Sequence, residues 1–130
     1  MELLYQNTTE KILQAFYKVY NELGYGFLEK VYENALYLEL LAMKMSCVKQ
    51  KQIKVYYNGQ IVGNYFADLI VNDHVIIELK ASEFLREERE YQLINYLKAT
   101  EIEVGLLLNF GKKPSFKRKV FTNDLENKSV

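Results

Sequence analysis

Three charged residues interrupt apolar segments in the stretch "ADLIVNDHVIIELKA", which runs from Ala67 to Ala81. Asp68 breaks the first segment, and Glu78 and Lys80 break the second. Charged side chains are rarely buried unless they are paired or bind a metal. Two carboxylates held close together repel each other, and a divalent cation can compensate them. With a lysine beside them, the pair could support metal-assisted hydrolysis of phosphodiester bonds.

The turn between the two apolar segments decides whether the acids meet. Alternate residues of a strand face opposite sides of a sheet, and directly paired residues share a side. A two-residue loop at 72–73 places Asp68 opposite Ile77, on the other side from Glu78. A three-residue loop at 72–74 places Asp68 opposite Glu78. We favour the three-residue loop because it gathers the charges on one face.

The gathered arrangement suggests a role for each neighbour of the acids. In this register Lys80 lies opposite Phe66, and it could orient or deprotonate a water or offset charge on a phosphoryl oxygen. The Leu79 carbonyl could add a metal ligand. Mg²⁺ prefers such oxygen ligands, and Mn²⁺ is expected to substitute. The alternative is a solvent-facing Glu78–Lys80 ion pair with Asp68 as an ordinary strand-end residue.

Composition bounds the class of protein. The chain has 130 residues, 49% of them hydrophobic, which predicts one domain over 1–130 with a tail frayed from about 122. Lys+Arg and Asp+Glu balance at 17 each, so any nucleic-acid binding would rest on a local basic patch. A lone Cys47, no signal peptide and no membrane-length apolar run predict a cytoplasmic protein.

Two helices are predicted ahead of the strands. The first, "NTTEKILQAFYKVYNELG", is capped by Asn7 with Glu10 as reciprocal partner, and Gly24 ends it. Its apolar stripe comprises Ile12, Phe16, Val19, Tyr20 and Leu23. The second runs from about Leu28 to Met45. Its predicted core-facing stripe comprises Leu28, Val31, Tyr32, Ala35, Leu38 and Ala42.

Strand patterns then dominate, with one more helix. Asn58-Gly59 predicts a hairpin between two alternating segments, and "VIIELKA" is a third strand. A helix covers "EFLREEREYQLINYLKATE", and "EVGLLLNFG" is a buried strand. The following "KKPSFKRKVF" is a basic loop or a further edge strand. The order α-α-β-β-β-α-β predicts an α/β fold, with a mixed four-stranded β-sheet flanked by α-helices.

Four motifs in this order resemble a known family. Gly26, Glu29 and Tyr32 in "GFLEKVY" follow the pattern G-x-x-E-x-x-Y. Together with "ADLIVNDHVIIELKA", "YQLINYLKA" and "VGLLLNFG", the pattern resembles the GxxExxY family, which is grouped with the PD-(D/E)XK nuclease superfamily. The resemblance extends from the first helix to Phe116.

This resemblance implies a restriction-endonuclease-like core and a specific set of site residues. The helical acid of the superfamily corresponds to Glu29, its strand aspartate to Asp68, and its Glu-x-Lys to Glu78 and Lys80. Gln92 matches the glutamine that often completes such sites. We therefore expect metal ligands from Asp68, Glu78, Glu29 and the Leu79 carbonyl.

A basic cluster and the small size of the chain bear on its partners. Its members could contact phosphates, or could form an ordinary solvated loop: Lys112, Lys113, Lys117, Arg118 and Lys119. The first hypothesis is an Mg²⁺-dependent nuclease acting on DNA or RNA, with a homodimer plausible. The second is a non-catalytic interaction module that retains the nuclease fold.

Overall fold

Three helices and five strands form the described part of the chain, residues 4–123 of a computed structural model. Their bounds are α1 (Gln6–Leu23), α2 (Glu29–Ala42), β1 (Cys47–Tyr57), β2 (Gln60–Val71), β3 (Val75–Lys80), α3 (Glu87–Lys98), β4 (Val104–Phe110) and β5 (Pro114–Val120). The predicted frayed tail lies outside the described residues beyond Asn123.

The five strands form one mixed sheet in the order β1-β2-β3-β4-β5. β3 and β4 are parallel and are joined by α3, and every other neighbouring pair is antiparallel. The predicted α/β class and the parallel crossover are confirmed. The sheet has five strands rather than four, because the basic segment after β4 turns back and pairs with it from Val104 to Phe110.

Helices cover both faces of the sheet, and each face has its own buried cluster. α1 and α2 pack on one face, against aliphatic side chains that include Leu69, Ile77 and Leu106. α3 packs on the other face, against Ile70, Ile76 and Leu107. Because β3 and β4 are covered on both sides, they carry nearly continuous apolar sequence.

The start of α1 differs from the predicted Asn7 cap. The helix begins at Gln6, after Tyr5 in a left-handed conformation (φ 52°), and no side chain among residues 4–123 caps it. Tyr5 stacks on His74, with ring centroids 4.4 Å apart, so a tertiary contact fixes where the helix begins. Glu10 accepts a hydrogen bond from the Gln6 side chain instead of acting as a capping partner.

The buried face of α2 is rotated from the predicted stripe. Its buried side chains are Tyr32, Glu33, Leu36 and Leu40, whereas Leu28 is 81% exposed and Leu38 is 65% exposed. The helix also ends at Ala42 rather than Met45. Apolar residues surround most of this helix, so periodicity alone did not identify the face that packs.

The loop between α1 and α2 is tied down by Tyr32. Its hydroxyl donates to the Gly24 carbonyl and accepts from the Phe27 N–H, so it does not reach a carboxylate. Its ring stacks on Phe110 of β4 at 4.3 Å. Gly26 has φ 118°, a conformation that L side chains rarely adopt, which explains the glycine of the motif.

α3 is shorter at both ends than the predicted helix over 83–101. After β3 the chain bends at 83–84 before the helix begins, and the Asn109 side chain both accepts from the Ser82 N–H and donates to the Ser82 carbonyl. The helix lies close to β4 at Gly105, where an added Cβ would lie only 2.7 Å from a Leu93 methyl carbon. This close approach brings α3 over β3 and β4.

Candidate active site

The turn between β2 and β3 loops as three residues. Val71 pairs with Val75, and the pairing continues to Leu69 with Ile77. Asn72 and Asp73 both have left-handed backbone conformations (φ 52° and 57°), which tightens the loop. The predicted register is confirmed, so Asp68 and Glu78 are the next opposed residues.

The backbone ladder between β2 and β3 ends just before these acids, and their side chains replace it. The Asp68 N–H donates to Glu78 Oε2 at 2.8 Å, and the Leu79 N–H donates to Asp68 Oδ2 at 2.8 Å. Each carboxylate thus accepts a hydrogen bond from the opposite strand. We call Asp68 and Glu78 the carboxyl pair, and the place where β2 and β3 separate the fork.

The β1–β2 ladder is irregular at the same level. Ala67 and Ile70 pack in the same cluster under α3, although they are three residues apart, so the usual alternation breaks between them. Gln50 lies across from Asp68 and has φ 52°, an unusual conformation for a non-glycine residue in a strand. Its side-chain amide donates to Glu33 Oε1 at 2.9 Å and approaches Asp68 Oδ1 at 3.5 Å.

The carboxyl pair is held in an environment that disfavours its ionised form. Burial raises the pKa of Glu78 to about 8, and the nearby charge of Asp68 adds to this effect. Burial also raises the pKa of Asp68, against the Leu79 hydrogen bond, which lowers it. Lys80 lowers the pKa of both acids, and Glu33 raises it. Ionisation of both acids together is therefore disfavoured unless a cation compensates them.

Glu33 is the site residue that sequence reasoning missed. It is 5% exposed, is held by Lys30 at 2.8 Å and by Gln50, and acts on the pKa of both members of the carboxyl pair. A correct prediction of the buried face of α2 would have shown that Glu33, directly after Tyr32, is a buried acid and therefore a candidate site residue.

The structure places Glu29 one helical turn before Glu33, at the first residue of α2, where it is exposed. Residues four apart share a helix face, so both acids lie on the side of α2 from which Glu33 approaches the fork. The α2 charges that act on the carboxyl pair are those of Glu33 and, toward Asp68, Lys30. The role assigned to Glu29 stays a prediction.

Lys80 ends β3 at the fork. Its backbone pairs with Asn109 of β4, and its charge acts on both Asp68 and Glu78. The predicted pairing of Lys80 with Phe66 was wrong, because the β2–β3 ladder ends at Leu69 and Ile77 and the strands separate beyond them.

Gln92 reaches the site through Tyr96, four residues further along α3. The Gln92 amide donates to the Tyr96 hydroxyl at 2.8 Å. Burial raises the pKa of Tyr96 to about 12, and the charges of Glu78 and Asp68 add to it. The α3 face carrying Gln92 and Tyr96 therefore borders the carboxyl pair.

The predicted basic cluster divides between two ends of the sheet. Lys112 and Lys113 lie in the β4–β5 turn, at the strand ends where Lys80 lies, and Lys112 pairs with Glu83 at 2.9 Å. The other members lie on β5: Lys117, Arg118 and Lys119. Lys119 pairs with Glu90 at 2.7 Å, and Arg118 donates to the Leu4 carbonyl at 2.6 Å. The five charges thus do not form one surface.

Cys47 and the lack of a membrane-length apolar run were two grounds for predicting a cytoplasmic protein. Burial raises the pKa of the Cys47 thiol to about 11, which makes it a packing residue rather than a nucleophile. Among the helices described for residues 4–123, none has the length and apolar character needed to cross a membrane.

The donor set of the fork fits a hard divalent cation, although the ligands are not gathered around one point. The candidate donors are carboxylate and carbonyl oxygens, which Mg²⁺ and related ions prefer, and a bound cation would offset the cost of ionising both acids. Within residues 4–123, no group of three Asp, Glu, His or Cys side chains is already arranged to hold a metal ion. An ion held by Asp68 and Glu78 would therefore complete its shell with other oxygen donors, such as the Leu79 carbonyl and water.

A mixed sheet with helices on both faces, and two strand acids and a lysine at a fork, define a nuclease-like class of α/β protein. The family model of the PD-(D/E)XK nuclease superfamily matches residues 6–120. The chain belongs to this superfamily, whose nucleases generally use divalent metal ions.

A solved structure supports the fold independently. The chain is similar to the crystal structure of SSO0001, with a TM-score of 0.55 and 16% sequence identity. The match covers 74% of this chain and 52% of that chain, so this chain spans about half the length of that protein. No curated protein matches this chain in sequence.

Proposed function

We propose that this chain is an Mg²⁺-dependent nuclease that hydrolyses phosphodiester bonds of nucleic acid at the fork. The observation that carries the proposal is the reciprocal hydrogen bonding of Asp68 and Glu78 at the separating strands, with Lys80 beside them. A structural ion pair would need only one acid. Instead the sheet gives up backbone hydrogen bonds to hold two.

The metal ligands in this proposal are Asp68, Glu78 and the Leu79 carbonyl, with Glu33 or Glu29 from α2 completing the set. In an extended strand the N–H and C=O of one residue point to the same side. The Leu79 N–H bonds to Asp68, so its carbonyl is directed to the same side. A bound Mg²⁺, or Mn²⁺ in its place, would supply charge stabilisation at the phosphoryl oxygens.

The side chains around the ligands have separate tasks. Lys80 orients the attacking water or stabilises charge on a phosphoryl oxygen. Gln50 holds Glu33 and Asp68 in position, and Gln92 orients the Tyr96 hydroxyl beside the pair. Lys113, at the strand ends beside Lys80, contacts substrate phosphate.

The finer assignments form part of the same proposal. The spacing of Gly26, Glu29 and Tyr32 supports membership of the GxxExxY family, and the single reduced Cys47 supports a cytoplasmic site of action. The chain acts as one domain over 1–130, and a homodimer would enlarge the surface available to grip nucleic acid.

Cleavage of DNA and RNA, single- and double-stranded, in Mg²⁺ or Mn²⁺ tests the proposal. Asp68→Asn and Lys80→Ala should each lower the rate by about 100- to 1000-fold, the loss typical of one electrostatic group at a reacting centre. Asp73→Asn is the matched control, because this exposed acid lies at the opposite end of β2 and β3. Equal rates in wild type, Asp68→Asn and Lys80→Ala would remove the fork from consideration.

Glu33→Gln and Glu29→Gln form a second matched pair, one helical turn apart. Mg²⁺ titration by calorimetry should show weaker binding in Glu33→Gln if Glu33 completes the ligand set, and in Glu29→Gln if Glu29 does. If wild type binds neither Mg²⁺ nor nucleic acid, the chain is the non-catalytic interaction module instead.

A further inference from the structure

A groove lies on the α3 side of the sheet. It lies between the β1–β2 hairpin and α3 and has a volume of about 450 Å³, within the usual range of small-ligand sites. Its lining includes Val55, Tyr65, Tyr91, Gln92, Asn95 and Tyr96. We call it the tyrosine groove.

The lining combines aromatic rings with side-chain amides. Tyr65 is 45% exposed and Tyr91 is 59% exposed, so both rings are open to solvent in the groove. The Tyr65 and Tyr96 rings are tilted by 44° at 5.5 Å, so their faces are not stacked on each other. Planar heterocycles stack on such rings, and the Gln92 and Asn95 amides can hydrogen-bond their polar edges.

The groove and the carboxyl pair share Tyr96. This side chain lines the groove, accepts the Gln92 hydrogen bond and lies within electrostatic reach of Glu78 and Asp68. In a nucleotide, the base and the phosphate are joined through one sugar. A base seated among the tyrosines therefore holds its phosphate next to the proposed hydrolytic site.

We propose that the tyrosine groove binds one unstacked nucleobase, so that the preferred substrate is single-stranded or locally unpaired nucleic acid. The inference rests on the proposed function and names its substrate class. Bases in an intact duplex are stacked and paired, and they cannot enter a side groove without being extruded. The groove favours a base over an aliphatic ligand, because the exposed rings of Tyr65 and Tyr91 provide faces and the Gln92 and Asn95 amides meet polar edges.

Binding measured without cleavage tests the groove separately from the chemistry. Fluorescence anisotropy in EDTA compares wild-type protein on one labelled sequence as single-stranded DNA, single-stranded RNA and blunt duplex. Single strands should bind at least about tenfold more tightly than the duplex, as expected from one stacked base. The DNA and RNA arms show whether the 2′-hydroxyl contributes.

Matched variants assign the effect to the groove. Tyr91→Leu should weaken single-strand binding by about tenfold, whereas Tyr91→Phe, which keeps the ring, should retain it. Tyr57→Leu is the control, because this tyrosine is 67% exposed at the hairpin turn and lies outside the groove. An oligonucleotide series with one abasic site at each position should show one position whose base is needed for affinity.

The outcomes separate the two proposals. Cleavage that depends on Asp68, with equal single-strand binding by wild type and Tyr91→Leu, would overturn the groove and leave the nuclease intact. Binding that depends on Tyr91, without any cleavage by wild type, would support the groove and overturn the nuclease. If no oligonucleotide binds, the groove is not a base site and a peptide side chain becomes its expected occupant.

Discussion

The two ends of the β2–β3 strand pair are held by different interactions. At the turn end, Leu69 to Val71 pair with Val75 to Ile77 through backbone hydrogen bonds, and all six side chains are buried and aliphatic. At the fork, which begins at the next residue of each strand, carboxylates take the backbone N–H groups. Glu78 is buried there and Asp68 is partly buried. The turn end joins the strands, whereas the fork separates them around charges.

The difference shows that the fork must be stabilised by other parts of the fold. Burying ionised carboxylates is costly, and Lys80 compensates only part of their charge. The apolar clusters on the two faces of the sheet supply the stabilisation that this arrangement requires. A site under this kind of strain is expected where function needs a charge that folding alone would avoid.

The largest expected effect lies at the turn end. Ile77→Ala removes a fully buried side chain from the cluster under α1 and α2, and should lower the free energy of unfolding by about 2–5 kcal/mol. Urea unfolding followed by circular dichroism measures it. Val62→Ala, at a 64% exposed position of β2, is the control and should change stability by less than about 0.5 kcal/mol. Equal losses in the two variants would contradict the comparison.

Glu78→Gln, at the fork, is expected to raise the free energy of unfolding of the metal-free protein, the opposite of the effect of Ile77→Ala. The folded-state pKa of Glu78 is about 8, above its ordinary value of 4.5. Between these values the folded chain keeps a proton that the unfolded chain has lost, so stability falls as pH rises through this window. The amide can still accept the Asp68 N–H, and the variant should avoid this loss, which is on the order of a few kcal/mol.

Unfolding profiles of wild type and Glu78→Gln between pH 5 and pH 9 measure the effect. Their difference isolates Glu78, because other titrating groups contribute similarly to both proteins. Parallel profiles would show that Glu78 ionises without cost. Mg²⁺ should flatten the wild-type profile, since a bound cation favours the ionised carboxylate.

The third prediction concerns the strained backbone at Gln50, across from Asp68. A non-glycine residue with a left-handed φ loses roughly 1 kcal/mol relative to glycine. Gln50→Ala and Gln50→Gly both remove the hydrogen bonds to Glu33 and Asp68. Gln50→Gly should therefore be more stable than Gln50→Ala by about 1 kcal/mol in urea unfolding. The reverse order would show that Gln50 is not strained.

Sequence patterns predicted the turn end more completely than the fork. Asn58-Gly59 is a local turn signal that predicted the hairpin, although the register shifts beyond it between Val55 and Tyr56. The three-residue loop at 72–74 was favoured because it gathers the charges, and it sets the β2–β3 register. Counting residues back from the three-residue loop is enough to place Asp68 opposite Glu78. The point where the ladder stops could not be predicted, because it depends on carboxylates competing with backbone carbonyls for the same N–H groups.

The helices show where sequence periodicity predicted the buried face and where it could not. In α1 the buried positions Ile12, Phe16 and Val19 were predicted, because polar residues surround them. In α2 apolar side chains occupy several faces, so only the contact with the sheet selects Glu33 for the interior. The tyrosine groove depends on how the hairpin meets α3, a long-range arrangement that no local pattern encodes.

The smallest expected effect concerns two lysines, one near the fork and one near the turn end. Lys113 lies at the strand ends beside the fork and forms no ion pair among residues 4–123, whereas Lys119 lies near the turn end and is neutralised by Glu90. Lys113→Gln should weaken nucleic-acid binding a few-fold and reduce the slope of log affinity against log salt by about one. Lys119→Gln should leave both unchanged, because its charge is already compensated. Equal slopes for wild type and Lys113→Gln would mean that substrate phosphates do not pass the fork on this side.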